Sequence, residues 1–248
     1  MHPYIGVTGF MHRSEVKKTL AALNAIEQTN GGVKRKLMIG VLACAPGISR
    51  KPNHWLQRHP NEHDISDLFF PDRRVLNILH YHADDADSLA ERLKYLTNAV
   101  GPHLDGIQLN MTWPPPSRVY AYGKPIALEL GKHALGACNH HPQEICSRLQ
   151  AYKNDIARVL VDMSAGHGIP LSVPYMMRLL VPIAERFPNL GIGVAGGLSL
   201  ELLDQIEPLI KAIPHLSIDA EGALRDAADH LDLERVQRYL ERAYTLFC

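Results

Sequence analysis

Two histidines separated by one residue, His80 and His82, could do chemistry at the end of the apolar run 75–81. Alternate residues of a β-strand point to the same face, so both side chains would face one site. Imidazole binds divalent transition metals and also transfers protons near neutral pH. The pair is therefore consistent with a metal site completed by Glu129 or Asp162, or with a hydrogen-bonding or proton-transfer site. We expect the second, with no resident metal or cofactor.

Carboxylates lie at or near the ends of three further apolar runs. Glu129 lies in the run 125–130, Asp162 closes the run 157–162 and Asp219 closes the run 216–219. Carboxylates and imidazoles held across one cavity are suited to general acid–base catalysis. We predict Asp162 as the general acid or base, with His80, His82 or Glu129 as its partner.

Glycines follow two consecutive apolar runs near the C-terminus. Gly196 and Gly197 follow the run 191–195, and Gly222 follows the run 216–219, ahead of a short helical pattern over 224–230. Single glycine loops often serve only to make a tight turn. Two such loops can instead bring backbone N–H groups to a phosphate, and a helix dipole then favours the anion. Arg225 would offset the negative charge of Glu221 in the same loop.

Glycines 191, 193 and 196 also satisfy the pattern G-x-G-x-x-G of dinucleotide-binding sites. They lie inside an apolar run rather than after it, and too little chain follows for the remaining units of such a domain. We therefore read this match as accidental.

The elements that must position these groups are short apolar runs separated by amphipathic segments. Many runs are apolar on both faces, as expected for parallel strands covered by helices. Eight strands in 248 residues have the spacing of βα units and predict a single (β/α)8 barrel domain over residues 1–248. The predicted strands are 4–8, 36–43, 75–81, 106–111, 125–130, 157–162, 191–195 and 216–219. The predicted helices are 14–28, 86–99, 142–153, 174–186, 200–211 and 233–247.

The C-terminal third resembles phosphoribosylanthranilate isomerases. The similarity rests on the segments Val-Leu-Val-Asp at 159–162, Ser-Ala-Gly-His-Gly at 164–168, Ala-Gly-Gly-Leu at 195–198 and Ile-Asp at 218–219 with Gly222. It implies a (β/α)8 barrel and a phosphoribosyl substrate, with Asp162 matching the general acid of the family. It also implies a phosphate cradle at Gly166, Gly168, Gly196, Gly197 and Gly222.

The chain departs from this family at its first strand. The family carries a cysteine base there, whereas this sequence has Thr8. An unactivated hydroxyl is too weakly acidic to replace a thiol near neutral pH, so we expect negligible activity of the family's own kind. Cys44, at the end of the second predicted strand, could supply a thiol or could be buried and inert.

Residues 44–72 form a long connection rich in proline and histidine, with one short helix expected near 64–69. Connections of this length in a barrel are often binding loops. It could cover a bound ligand with Trp55, Arg58 and its histidines, or it could be a surface excursion without functional contact.

Composition limits the partners. The chain has 26 Lys and Arg against 26 Asp and Glu, which argues against a broadly basic nucleic-acid-binding protein. It has no apolar run near the roughly 20 residues that cross a bilayer, so no membrane partner is expected. Its four cysteines form no C-x-x-C pair, which favours reduced thiols and a cytoplasmic location.

The sequence thus predicts an α/β-class barrel that binds a small phosphorylated metabolite, a phosphosugar or phosphoribosyl derivative. The predicted reaction is an isomerase or lyase step by acid–base catalysis. Two alternatives stay open: a metal-dependent barrel using His80 and His82, and a non-catalytic phosphoribosyl-ligand binding protein. A homodimer is also left open.

Overall fold

The chain forms a closed ring of parallel strands surrounded by helices. The computed structural model describes residues 2–44, 57–119, 123–152, 155–164 and 171–247. The strands follow one another around the barrel in sequence order, and the last pairs with the first, Ile218 opposite Ile5. They are β1 (Tyr4–Thr8), β2 (Lys36–Cys44), β3 (Val75–His82), β4 (Gly106–Asn110), β5 (Ile126–Gly131), β6 (Arg158–Asp162), β7 (Gly191–Ala195) and β8 (Ser217–Ala220).

These strands confirm the predicted (β/α)8 barrel. Each predicted strand end lies within one residue of the observed end. The agreement is close because strands buried on both sides must be almost continuously apolar, and polar or glycine-rich segments then mark their ends.

Helices cover the outside of the barrel. α1 packs beside α9, and α5 beside α6. Within the described ranges, every helix is too short or too polar to cross a membrane. The helices are α1 (Arg13–Asn30), α2 (Ile65–Leu68), α3 (Leu89–Val100), α4 (Lys132–Gly136), α5 (Pro142–Leu149), α6 (Val173–Arg186), α7 (Leu200–Leu203), α8 (Glu207–Ala212) and α9 (Leu233–Leu246).

The continuous helix predicted over 200–211 is wrong in detail. The segment consists of α7 and α8 joined by a 3-10 turn, Asp204–Ile206. Pro208 lies in the first turn of α8. Proline lacks a backbone N–H and its ring clashes with the preceding turn, so Pro208 disfavours one uninterrupted helix over this segment. Ser199 does cap α7, since its side chain accepts the N–H of Leu202.

The short helix predicted over 224–230 is also wrong. A 3-10 turn, Gly222–Leu224, follows β8, and Arg225 then forms an antiparallel bridge with Leu231. The carboxylate of Asp226 accepts the N–H groups of Ala228 and His230, each at 2.9 Å. An aspartate that satisfies backbone N–H groups in this way stabilises a turn at the expense of a helix.

Candidate active site

The carboxyl ends of the strands bring polar side chains together at one end of the barrel. Thr8 ends β1, His80 lies near the end of β3, and Asp219 lies in β8. Gln108 in β4, Glu129 in β5 and Asp162 at the end of β6 complete the group. All except Asp162 are less than a tenth exposed. We call these six residues the mouth cluster; this end of such a barrel is where active sites of the fold lie.

Glu129 is a buried carboxyl group. Its pKa is raised to about 8, chiefly by burial and also by the negative charge of Asp162, whereas a hydrogen bond from Gln108 opposes the shift. Gln108 Nε2 donates to Glu129 Oε2 at 3.1 Å. Glu129 therefore carries a proton at neutral pH and can act as a general acid.

Asp162 interacts electrostatically with three other carboxyl groups at this end of the barrel. Its charge contributes to raising the pKa values of Glu129, Asp219 and Glu221. Its Oδ1 accepts the backbone N–H of Ser164 at 2.6 Å. It is only partly buried, so a ligand in the mouth can reach it.

Thr8 and Asp219 form a buried pair. The Thr8 hydroxyl donates to both carboxylate oxygens of Asp219, with Oδ1 at 2.9 Å and Oδ2 at 3.0 Å. Burial raises the Asp219 pKa well above its usual range, and this hydrogen bond opposes the shift. The Thr8 hydroxyl thus serves as a hydrogen-bond donor to Asp219.

His80 lies against the pair from the other side of β2. A Cβ placed on Gly40 would lie 2.1 Å from Thr8 Oγ1 and 3.0 Å from His80 Nε2, so the missing side chain of Gly40 is what allows this approach. Burial lowers the His80 pKa to about 3, which keeps the imidazole neutral. His82, two residues on, is exposed at the rim.

The two histidines therefore lie in different environments despite sharing a strand face. His80 is enclosed by Gly40 and Thr8, whereas His82 faces solvent. Among the residues that the structure describes, no group of three or more His, Cys, Asp or Glu side chains is arranged to hold a metal ion. The metal-dependent alternative gains no support from this geometry.

The loop after β7 turns through two glycines in the left-handed backbone conformation. Gly196 and Gly197 have φ values of +93° and +63°, which favour glycine. A Cβ on Gly196 would lie 2.6 Å from Asp162 Oδ1 and 3.0 Å from Ser164 Oγ. The glycine loop and the predicted acid–base residue are thus in contact.

The loop after β8 carries an ion-pair network. Arg58 Nη1 pairs with Glu221 Oε1 at 2.9 Å, and its Nη2 pairs with Asp229 Oδ1 at 2.6 Å. Burial raises the Glu221 pKa, while the charges of Arg58 and Arg225 oppose that shift. Arg58, from the long 44–72 connection, thus supplies the direct partner that sequence reasoning assigned to Arg225.

Arg225 is held by main-chain oxygens. Nη2 donates to Gly9 O at 2.9 Å, and Nη1 donates to Asp229 O at 2.7 Å and Gln57 O at 3.4 Å. It can therefore contribute positive charge behind the β8 loop, but most of its donors are engaged. Gly222 begins the 3-10 turn of that loop. Gly166 and Gly168, the other predicted phosphate residues, lie outside the described residues, as does Trp55 of the predicted lid.

Comparison with known proteins supports the fold. No protein-family model matches the chain, and no curated protein matches it in sequence. Among solved structures, phosphoribosylanthranilate isomerase from Thermotoga maritima superimposes with a TM-score of 0.65 at 13% identity, covering 97% of this chain and 98% of that chain. The enzyme from Thermococcus kodakaraensis gives 0.60 at 14% identity, with the same coverage.

A further phosphoribosylanthranilate isomerase structure contains reduced 1-(o-carboxyphenylamino)-1-deoxyribulose 5-phosphate, and it gives a TM-score of 0.62 at 13% identity over 97% of this chain and 98% of that chain. The resemblance stated from sequence is thus confirmed for the barrel fold. At these identities the likeness extends to the fold alone.

Proposed function

We propose that this barrel is an enzyme that acts on a small phosphorylated molecule by acid–base catalysis, in an isomerase or lyase reaction. The observation that carries the proposal is the neighbouring pair of carboxyl groups, Glu129 and Asp162. One is buried and protonated at neutral pH, and the other is accessible and hydrogen-bonded to a backbone N–H. Carboxyl groups in contrasting environments suit the two roles of proton donor and proton acceptor.

In this proposal Asp162 removes a proton from the substrate, and Glu129 gives a proton to the oxygen or carbon that receives the electron pair. His80 stays neutral and can only donate or accept a hydrogen bond, as burial requires. His82 lies at the exposed rim, where it could contact the part of a substrate that projects from the mouth.

The phosphate would bind at the glycine loop, whose Gly196 contacts Asp162. Backbone N–H groups of Gly196, Gly197 and Gly222 are the proposed donors, with Arg225 adding positive charge behind them. Glu221 would repel the anion, but its ion pair with Arg58 offsets that charge. The solved structure with a bound 5-phosphate compound makes a phosphorylated substrate the natural one to test.

The phosphate site is tested by thermal unfolding in inorganic phosphate. We expect phosphate to raise the Tm of the wild-type chain and of Gly31→Val, but not of Gly197→Val. Gly31 is the matched control because its φ is also left-handed, at +69°, and a Cβ there meets nothing within 4 Å. If phosphate stabilised both variants equally, it would not bind at the β7 loop.

The reaction is tested by proton exchange. Aldose and ketose phosphates are incubated with the protein in D2O, and loss of the proton next to the carbonyl carbon is followed by NMR. We expect exchange that falls about 100-fold or more in Asp162→Asn and Glu129→Gln, since one acid–base group typically contributes that much. Phosphate-dependent stabilisation without exchange of any of these sugars would favour the non-catalytic binding protein.

A further inference from the structure

A short segment of the long 44–72 connection is fixed across the rim of the mouth. We call residues 57–60 the strap. Arg58 binds Glu221 and Asp229 beyond β8 through the ion pairs described above. The backbone oxygen of Gln57 accepts a hydrogen bond from Arg225. The strap is thus held to the β8 loop at two successive residues.

The next residue of the strap contacts a cysteine. His59 Nε2 lies 3.1 Å from the Sγ of Cys44, the last residue of β2, and the contact is partly buried. In the neutral state the thiol donates to the imidazole nitrogen; after proton transfer, the imidazolium donates to the thiolate. A nucleophile within hydrogen-bond reach of a base whose position is fixed by other groups is the arrangement of an activated thiol.

Charged and titratable groups lie near this contact. Arg58 precedes His59 in the strap. Tyr81 on β3 is close enough for the charge of Cys44 to act on it; burial raises the Tyr81 pKa, so the phenol stays neutral. Arg92 binds Tyr81 and forms an ion pair with Glu62. His82 lies opposite Cys44 where β2 pairs with β3, and the His82 side chain is exposed.

The other described cysteines lack this environment. Cys138 is fully buried and Cys146 is partly buried. Burial raises the pKa of both thiols. Cys146 Sγ has a backbone carbonyl, Pro182 O, at 4.0 Å as its neighbour. Cys146 therefore provides an internal reference of similar burial to Cys44.

We propose that Cys44 and His59 form a nucleophilic thiol site for small carbon electrophiles. The Cys44 proton passes to His59 Nε2, the thiolate forms an S–C bond, and the leaving group departs with the electron pair of the bond that breaks. Neither the proposed phosphate site nor the Glu129–Asp162 pair takes part in this reaction. A negative result for the thiol site would therefore leave the proposed function unaffected, and the reverse also holds.

The probe is iodoacetamide, with iodide as leaving group, applied to the full chain. Peptide mass spectrometry gives a separate alkylation rate for each cysteine, Cys248 included. At about pH 6.5 we expect Cys44 to react about tenfold or more faster than Cys146, because the thiolate is the reactive form. His59→Gln keeps a hydrogen-bonding side chain but cannot take up the proton, so this advantage should disappear.

A second measurement does not depend on the His59→Gln variant. Thiolate absorbance near 240 nm is compared between the wild type and Cys44→Ser from about pH 5 to pH 9. An absorbance difference that is already present at the acidic end supports the pair. Equal alkylation of Cys44 and Cys146, or a thiolate that forms only at alkaline pH, would overturn the proposal.

Discussion

Glu129 is protonated near neutral pH because its carboxyl group lies inside the barrel, where little solvent is available to stabilise the ionised carboxylate. In the unfolded chain it would ionise near its ordinary value of 4.5, whereas in the folded chain its pKa is about 8. As pH rises between these values, only the unfolded state loses the proton. Protonated Glu129 therefore contributes to the free energy of unfolding at acidic pH, and this contribution is lost as the pH rises from about 4.5 to about 8.

Replacing Glu129 by Gln should remove that loss. Each unit of pKa difference corresponds to about 1.4 kcal/mol of unfolding free energy, so Glu129→Gln should gain stability relative to wild type on going from about pH 5 to pH 8. Urea unfolding at the two pH values measures this. Glu144→Gln is the control, because Glu144 is exposed. A variant that follows the wild type across this range would contradict the raised pKa.

The histidines lead to a prediction about metal. His80 is enclosed and neutral, and His82 is exposed, so we expect purified protein to contain far less than one equivalent of transition metal. EDTA should leave its Tm unchanged, because a metal that bound the folded state would stabilise it. Stoichiometric Zn, Mn or Fe that is lost in His82→Ala would restore the metal-dependent alternative.

At the scale of elements, the strap joins the β2 and β8 sides of the mouth. Arg58 is 11% exposed and its partners Glu221 and Asp229 are 20% and 28% exposed, so both ion pairs are shielded from solvent. This contact does not follow from the sequence, since Arg58 and Glu221 lie 163 residues apart and no local pattern pairs them. Only the length and composition of the connection pointed to a role.

Removing the Arg58 charge should loosen the strap. Arg58→Met leaves two shielded carboxylates without their partner and should cost about 1.5–3 kcal/mol, the usual range for hydrogen bonds to charged groups. Urea unfolding gives the change in stability, and limited proteolysis near residues 57–60 should become faster.

Arg118→Met is the control. Its ion pair with Asp87 is long, at 3.8 Å, and exposed, so it should change stability by less than about 0.5 kcal/mol. A strap variant with no greater effect than this control would show that the Arg58 ion pairs do not hold the connection.

At the scale of the whole molecule, the barrel was predictable and its mouth only partly so. Repeated apolar runs gave every strand, because strands such as β6 and β7 are buried on both sides. The placement of Asp162 at the end of a strand followed from the same pattern. The pairs Thr8–Asp219 and Cys44–His59 did not, because they depend on barrel closure and on the path of a long connection.

Closure of the barrel predicts that the chain unfolds as one unit. β8 is held by β1 and β7, and α9 packs on α1, so neither end of the chain can separate without opening the ring. Trp113 reports on the middle of the chain, since its Nε1 donates to Ala134 O at 2.8 Å. In a Trp55→Phe background, its fluorescence and the far-UV circular dichroism should give coincident urea transitions. A fluorescence transition that precedes the loss of helix would show that the region around Trp113 unfolds separately from the rest of the barrel.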